Sequence, residues 1–216
     1  MSDRRARIAR RVARELPDGS LVNLGIGLPT LVADYLPPDR RIMLHSENGF
    51  IGLGPQPAAG HEDWDIVNAG GLAVTLVPGG CYFDSTLSFA IIRGGHLDVT
   101  VLGALQVDEQ GNLANYMIPG KLVPGMGGAM DLVVGARRVI VAMEHVNKHG
   151  EPKILRRCTL PLTARREVDL VVTDLAVIRV TAEGLILEEV AGDTTVEAVL
   201  AATAARLTVA PAVGQF

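Results

Sequence analysis

Short apolar runs alternate with helix-compatible segments along the chain, and this alternation restricts the fold more than any other feature of the sequence. Leu21–Leu24 is one such run, followed by a glycine turn at residues 25–27 and a helix that begins at Pro29. Further buried strands are predicted for residues 41–45, 98–102, 139–143 and 170–173. Strands that alternate with helices favour an α/β fold with a mainly parallel sheet flanked by helices.

Spacing and capping residues predict the helices. Ile8, Val12 and Leu16 recur at helical intervals, and this first helix should end near Pro17. A second helix, capped by Asp84 or Ser85, should run to Arg93. Further helices are predicted for residues 128–134 and 195–204, and the last of these should finish the chain.

The remaining regions are predicted from their turn residues. Residues 176–180 and 185–190 should pair through a turn at Glu183-Gly184, which predicts an antiparallel edge of the sheet near the C-terminus. Residues 50–60 are rich in Gly and Pro and are expected to be irregular.

Size and charge narrow the class of protein. With 216 residues and a mean hydropathy of +0.28, the chain can bury a full core, and we expect one domain over residues 1–216. A net charge of −4 gives no general attraction to nucleic acid or to a membrane, and neither is expected as a partner. No apolar segment suits export or a bilayer, so a cytoplasmic location is expected. Cys81 and Cys158 are interpreted as reduced, packed thiols.

A single glutamate stands out as a candidate for chemistry. Ser46-Glu47-Asn48-Gly49 follows a predicted strand, at the sheet edge where open α/β folds bind ligands. A carboxylate can act as a covalent nucleophile at a dry, pre-organised site, and Ser46 and Asn48 could orient it. Taken by itself, this short pattern is explained more simply by an exposed turn glutamate.

Longer stretches resemble a known enzyme family. Residues 44–52 (LHSENGFIG) resemble the active-site signature of family I CoA-transferases, such as succinyl-CoA:3-oxoacid CoA-transferase, and the family's nucleophile falls on Glu47. The resemblance extends nearly from end to end. It includes residues 23–29 (NLGIGLP), 89–96 (FAIIRGGH), 101–107 (VLGALQV) and 113–132 (LANYMIPGKLVPGMGGAMDL).

The resemblance implies a beta subunit with a CoA-transferase-like fold and a ping-pong reaction between succinyl-CoA and acetoacetate, through a glutamyl-CoA thioester at Glu47. It places the Gly128 N–H and the Asn23 side chain near the reacting carbonyl. Gly125, Gly127 and Gly128 are expected to form a tight loop beside them. The loops at Gly25, Gly27 and Gly49 should shape the site.

Partners and cofactors follow from the same resemblance. The family's other half is absent from these residues, so a separate CoA-transferase alpha subunit and an α2β2 heterotetramer are expected. No metal or redox cofactor is expected, because coenzyme A is itself substrate and covalent intermediate. His145 and His149 are interpreted as a surface turn rather than zinc ligands.

Several alternatives stay open at this stage. Gly71 and Arg165 stand where many relatives carry lysines, which affects the expected contacts to CoA phosphates. The acceptor could be 3-oxoadipate, acetate or butyrate rather than acetoacetate. A non-catalytic ligand-binding domain or a CoA thioester hydrolase would also fit the scaffold.

Overall fold

A ten-stranded sheet organises the chain in the computed structural model, which describes residues 3–120 and 126–216. The strand order across the sheet is β13-β12-β11-β10-β8-β5-β1-β2-β3-β4. The strands are β1 Leu21–Leu24, β2 Met43–Ser46, β3 Phe50–Leu53, β4 Leu76–Tyr82, β5 Val99–Leu102, β8 Val139–Ala142, β10 Leu170–Val172, β11 Ala176–Thr181, β12 Gly184–Val190 and β13 Leu207–Gln215. The five central strands, from β10 to β2, pair in parallel.

The central strands form because their sequences are apolar on both faces. Every residue of β5, β8 and β10 is buried, as expected for parallel strands covered by helices on both sides. The mainly parallel sheet and four of the predicted strands at its centre are therefore confirmed.

Two hydrophobic cores lie on opposite faces of this sheet. One contains Ile8, Val12 and Leu16 of helix α1 (Asp3–Ala13) and a 3-10 helix at Pro29–Tyr35. The other contains helices α2 (Ser85–Arg93) and α3 (Ala129–Gly135). The predicted cap of α2 is confirmed, since the Asp84 side chain accepts a hydrogen bond of 2.8 Å from the Leu87 N–H.

The expectation of irregular structure across residues 50–60 is wrong. Phe50–Leu53 is a strand that pairs antiparallel with both β2 and the unpredicted β4. Gly52 has φ +94°, and a Cβ there would lie 2.7 Å from the Gly80 Cα. Glycine here allows two strands to approach closely, which sequence inspection had treated as a loop signal.

The C-terminal region combines a confirmed hairpin with an unpredicted strand. β11 and β12 pair antiparallel, as expected. Helix α4 covers only Val196–Ala201, behind a Thr195 cap, and the expectation that a helix finishes the chain is wrong. The nine-residue strand β13 follows it and pairs in parallel with β12, because α4 acts as the crossover between them.

A second, three-stranded sheet lies beside the large one. It consists of β6 (Gln106–Asp108), β7 (Leu113–Ala114) and β9 (Ile154–Leu155), in the order β7-β6-β9. Val107, Leu113 and Ile154 are fully buried and join the core beside α2 and α3. This sheet holds the segments after β5 and after β8 together.

Two other expectations meet the structure here. Both cysteines are free, but Cys81 is exposed on β4 rather than packed, and Cys158 is half-buried. Among the described residues, the search for a helix long and apolar enough to cross a bilayer finds none.

Candidate active site

Glu47 begins the tight turn between β2 and β3, at the carboxyl end of a central strand. The turn is closed by a 3.0 Å hydrogen bond from the Gly49 N–H to the Ser46 carbonyl. Gly49 has φ +132°, and a Cβ would lie 2.2 Å from the Phe83 carbonyl oxygen. Only glycine fits this position, so the turn that carries Glu47 is set by backbone packing.

The Glu47 carboxylate faces the glycine loop before α3. The Gly128 N–H donates a 3.1 Å hydrogen bond to Glu47 Oε1, which is the proximity expected from the resemblance. A Cβ on Gly128 would lie 3.1 Å from Oε1 and 3.1 Å from the Phe89 ring. Gly127 has φ +55° and lies next to the same oxygen. The loop can approach the carboxylate because it has no side chains.

Asn23 lies on β1 and is 2% exposed. Its Nδ2 is 3.2 Å from His45 Nδ1 and donates to the His45 carbonyl at 3.3 Å. Its Oδ1 is buried and has no hydrogen-bond partner among the residues the structure describes. In this orientation the amide offers an acceptor, and the donor role implied by the resemblance requires the amide to turn over.

His45 and Ser88 belong to the site but were not predicted. His45 Nε2 lies 3.0 Å from Ser88 Oγ on α2. Burial lowers the pKa of His45 to about 4, so the ring is neutral near pH 7. Nδ1 accepts from Asn23, which leaves the proton on Nε2 to donate to Ser88. The only sequence signal was a serine on the apolar face of α2.

Ser46 and Asn48 do not hydrogen-bond to Glu47. Ser46 Oγ donates to Asn48 Oδ1 at 2.6 Å and accepts from the Ala69 N–H, while Asn48 Nδ2 donates to the Val67 carbonyl. These bonds tie the turn to the 67–69 segment. The two side chains therefore position the glutamate through its backbone, whereas direct contact had been expected.

A cavity of about 1020 Å³ opens in front of Glu47. Asn23, Gly25, Ser46, Gly127 and Gly128 also line it, while Gly27 forms a left-handed turn (φ +82°) beside it. Its charged lining consists of Glu47 and Asp34, and no described lining residue is a lysine or arginine. The cavity thus has room for a substrate arm but supplies no positive charge.

Other predicted positions lie elsewhere. Lys121 and Gly125 lie outside the described residues. His149 is exposed, but the surface-turn interpretation is wrong for His145, which is fully buried between the Thr173 and Thr203 hydroxyls. The strand before it delivers His145 into the core rather than to solvent. No group of His, Cys, Asp or Glu among the described residues could hold a metal ion.

Comparison with known proteins gives this geometry a family. The family model described as "Coenzyme A transferase" matches residues 5–202. This chain belongs to the coenzyme A transferase family. It is 59% identical over 208 residues to the beta subunit of the acetate CoA-transferase of Escherichia coli K12, covering 96% of this chain and 95% of the relative. It is 52% identical to the B-type chain of a probable succinyl-CoA:3-ketoacid coenzyme A transferase of Bacillus subtilis 168, covering 99% of each.

Solved structures support the fold of this CoA-transferase. The acyl-CoA transferase YdiF of Escherichia coli O157:H7 superposes with a TM-score of 0.77 over 99% of this chain, at 21% identity. This chain spans only 43% of YdiF. The chain is accordingly an enzyme of the CoA-transferase class with the expected α/β architecture.

Proposed function

We propose that this chain is the catalytic subunit of its enzyme and that Glu47 becomes covalently loaded with coenzyme A. The observation that carries the proposal is the 3.1 Å hydrogen bond from Gly128 N–H to Glu47 Oε1, at the wall of the large cavity. A carboxylate held by a backbone donor, at a strand end and facing open space, has the placement that a covalent nucleophile needs.

Loading proceeds in two acyl transfers. A Glu47 oxygen attacks the thioester carbonyl of an acyl-CoA, and collapse of the tetrahedral oxyanion expels CoA thiolate and leaves an acyl-glutamyl anhydride. The thiolate then attacks the glutamyl carbonyl. The C–O bond of the anhydride breaks, the first carboxylate leaves, and a glutamyl-CoA thioester remains.

Unloading reverses these steps with a second carboxylate. The acceptor attacks the glutamyl thioester, and the released thiolate takes the new acyl group, which restores the Glu47 carboxylate. When the glutamyl carbonyl carries the developing oxyanion, the Gly128 N–H already lies beside it and can stabilise the charge. No electrons are gained or lost, so the sequence of steps requires neither a metal nor a redox cofactor.

A separate alpha subunit is proposed to complete the site. Carboxylate and acyl-CoA substrates are anions, yet the described lining of the Glu47 cavity has no lysine or arginine. Ile26 and Leu72 line the same cavity and are 69% and 48% exposed. The chain also spans less than half of YdiF. A partner that covers these residues and supplies cationic groups, in an α2β2 assembly, accounts for all three observations.

The decisive experiment is intact-mass spectrometry of the chain co-purified with the alpha subunit, after addition of acyl-CoA without acceptor. Wild type and the exposed control Glu183→Gln should gain the mass of coenzyme A minus water, and borohydride should remove the adduct. Glu47→Gln should gain nothing. An unmodified wild-type chain, in a complex that binds CoA, would sink the nucleophile assignment. Steady CoA release without acceptor would instead identify a hydrolase.

For the substrates, we propose transfer between succinyl-CoA and acetoacetate by ping-pong kinetics. The full-length match to the Bacillus subtilis relative supports this pair. Acetate is the second candidate, because the Escherichia coli relative has the higher identity of the two. Comparing kcat/KM for acetoacetate, acetate, butyrate and 3-oxoadipate would decide, and parallel lines in double-reciprocal plots would support ping-pong kinetics.

A further inference from the structure

A second cavity, of about 720 Å³, lies away from Glu47 and is lined by four arginines. They are Arg156, Arg157, Arg165 and Arg166, all exposed and all on the segment that follows β9. The apolar residues Leu160 and Leu162 complete one wall. The volume is in the range of small-molecule sites, roughly 300–1,000 Å³.

These four guanidinium groups have no internal counter-charge. Within residues 3–120 and 126–216, none of them forms an ion pair or a side-chain hydrogen bond. Arg11, by contrast, binds both Glu15 and Glu189. Arginines brought together without partners repel one another, and a bound anion relieves that repulsion.

The one carboxylate in the lining is already used. Asp108 is 1% exposed and accepts hydrogen bonds from the backbone N–H groups of Gln110, Asn112 and Cys158 and from the Asn112 side chain. Its charge is thus held inside the turn after β6 by four N–H donors. Four positive charges at the cavity remain without compensation.

The backbone at Arg166 is held in a costly conformation. Its φ is +60°, and it is the one non-glycine residue with positive φ in the described part of the chain. The Arg166 N–H donates to Asn112 Oδ1 at 3.1 Å, which fixes the arginine to the floor of the cavity. Such strained residues cluster at ligand clamps and similar functional sites.

We propose that this arginine cavity binds a phosphorylated small molecule, with its phosphates on the guanidinium groups and its organic part against Leu160 and Leu162. Guanidinium forks match phosphate oxygens bidentately, and four of them suit a multiply charged phosphate better than a single carboxylate. The cavity does not suit redox or nucleophilic chemistry, because burial raises the pKa of the Cys158 thiol to about 12.

Strand β6 connects this cavity to the Glu47 cavity. Leu105, directly before β6, lines the Glu47 cavity, whereas Asp108, at its end, lines the arginine cavity. Three residues of strand separate them by about 10 Å. The phosphates could therefore belong to a separate ligand or to the nucleotide end of coenzyme A, and the test distinguishes these sources.

The binding test uses the full chain in a buffer of low ionic strength, where charge interactions are least screened. Calorimetric titrations with pyrophosphate and with adenosine 3′,5′-bisphosphate compare wild type, Arg156→Ala/Arg165→Ala and the control Arg5→Ala/Arg14→Ala near the ends of α1. Both probes should bind wild type and the control equally and the cavity variant at least tenfold more weakly. Circular dichroism would check folding, and Arg156→Lys/Arg165→Lys, which keeps the charge, should bind with intermediate affinity.

Absence of binding of either probe to wild type, or equal weakening in both alanine pairs, would overturn the proposal. The source is then read from the assembled enzyme, a measurement that rests on the proposed function, as the calorimetry does not. A tenfold rise in KM for acyl-CoA with unchanged kcat in the cavity variant would assign the site to coenzyme A. Unchanged KM, with lost pyrophosphate binding, would assign it to a separate phosphorylated ligand.

Discussion

The Glu47 cavity and the arginine cavity lie at opposite ends of β6 and are built in different ways. Backbone shapes the first: glycines at 49, 127 and 128 let a turn and a loop approach within hydrogen-bond distance of one carboxylate. Long charged side chains on one segment shape the second. Added atoms should therefore damage the first cavity, whereas lost charges should disable the second without unfolding the chain.

Loss of the Glu47 carboxylate should have the largest effect. Glu47→Gln in the assembled enzyme is expected to lower kcat by at least about 10³-fold, because the amide cannot form the anhydride or the thioester. A coupled assay of acyl-CoA formation measures this, with Glu183→Gln as the matched surface control. Residual activity within tenfold of wild type would break the comparison, since Glu47 would then be a lining residue only.

Gly49→Ala tests whether backbone packing holds the Glu47 turn. The new Cβ would lie 2.2 Å from the Phe83 carbonyl at φ +132°, so we expect the free energy of unfolding to fall by about 3 kcal/mol. Urea denaturation measures it. Gly60→Ala shares the positive φ but has open space around it, and should cost about 1 kcal/mol; similar losses in both would contradict the packing argument.

The buried histidine beneath Asn23 predicts acid sensitivity. Burial lowers the pKa of His45 to about 4, from an unfolded value of about 6.5. The unfolded chain therefore binds more protons, and the stability from neutral His45 is complete above pH 6.5 and lost as pH falls toward 4, by about 3 kcal/mol. Urea denaturation from pH 7 to 4.5 measures this slope.

His45→Gln should remove the His45 share of that slope. His145, whose pKa burial also lowers to about 4, should contribute a second share of similar size. Exposed His149→Gln should leave the slope unchanged. An unaltered slope in His45→Gln would show that His45 takes up its proton in the folded chain.

Gly128→Ala tests the loop rather than the nucleophile. The N–H remains, but a Cβ 3.1 Å from Glu47 Oε1 and from Phe89 should displace the carboxylate. We expect kcat to fall about 10²-fold with intact folding. Gly192→Ala, which has room for a Cβ, is the control. Full activity in Gly128→Ala would exclude close packing as the means of positioning Glu47.

The smallest effect is expected at the arginine cavity. Arg156→Ala removes an unpaired charge and should change the free energy of unfolding by no more than about 0.5 kcal/mol. Arg11→Ala, which leaves Glu15 and Glu189 without their shared partner, should cost about 3 kcal/mol. Thermal denaturation at low salt compares the two, and a large loss in Arg156→Ala would make this cavity a structural element instead of a ligand site.

How far sequence reasoning reached depended on the range of each signal. The buried runs at β5 and β8, the Asp84 cap and the position of Glu47 at a strand end all arise from neighbouring residues, and each was predicted. β3 and β4 were missed because Gly52 and Gly80 served a strand contact instead of a turn. His145 was misplaced because nothing near it in the chain reveals Thr173 and Thr203.

The sequence alone determined the class of fold and the residue proposed as nucleophile, since strand burial, helix caps and the 44–52 signature are local patterns. Tertiary structure alone decided which groups surround that residue. It placed Gly128 against Glu47 across 81 positions of sequence, engaged Asn23 with His45, and assembled the arginine cavity from residues 108–112 and 156–166. These contacts depend on how strands and loops pack in space, and no short-range pattern encodes that packing.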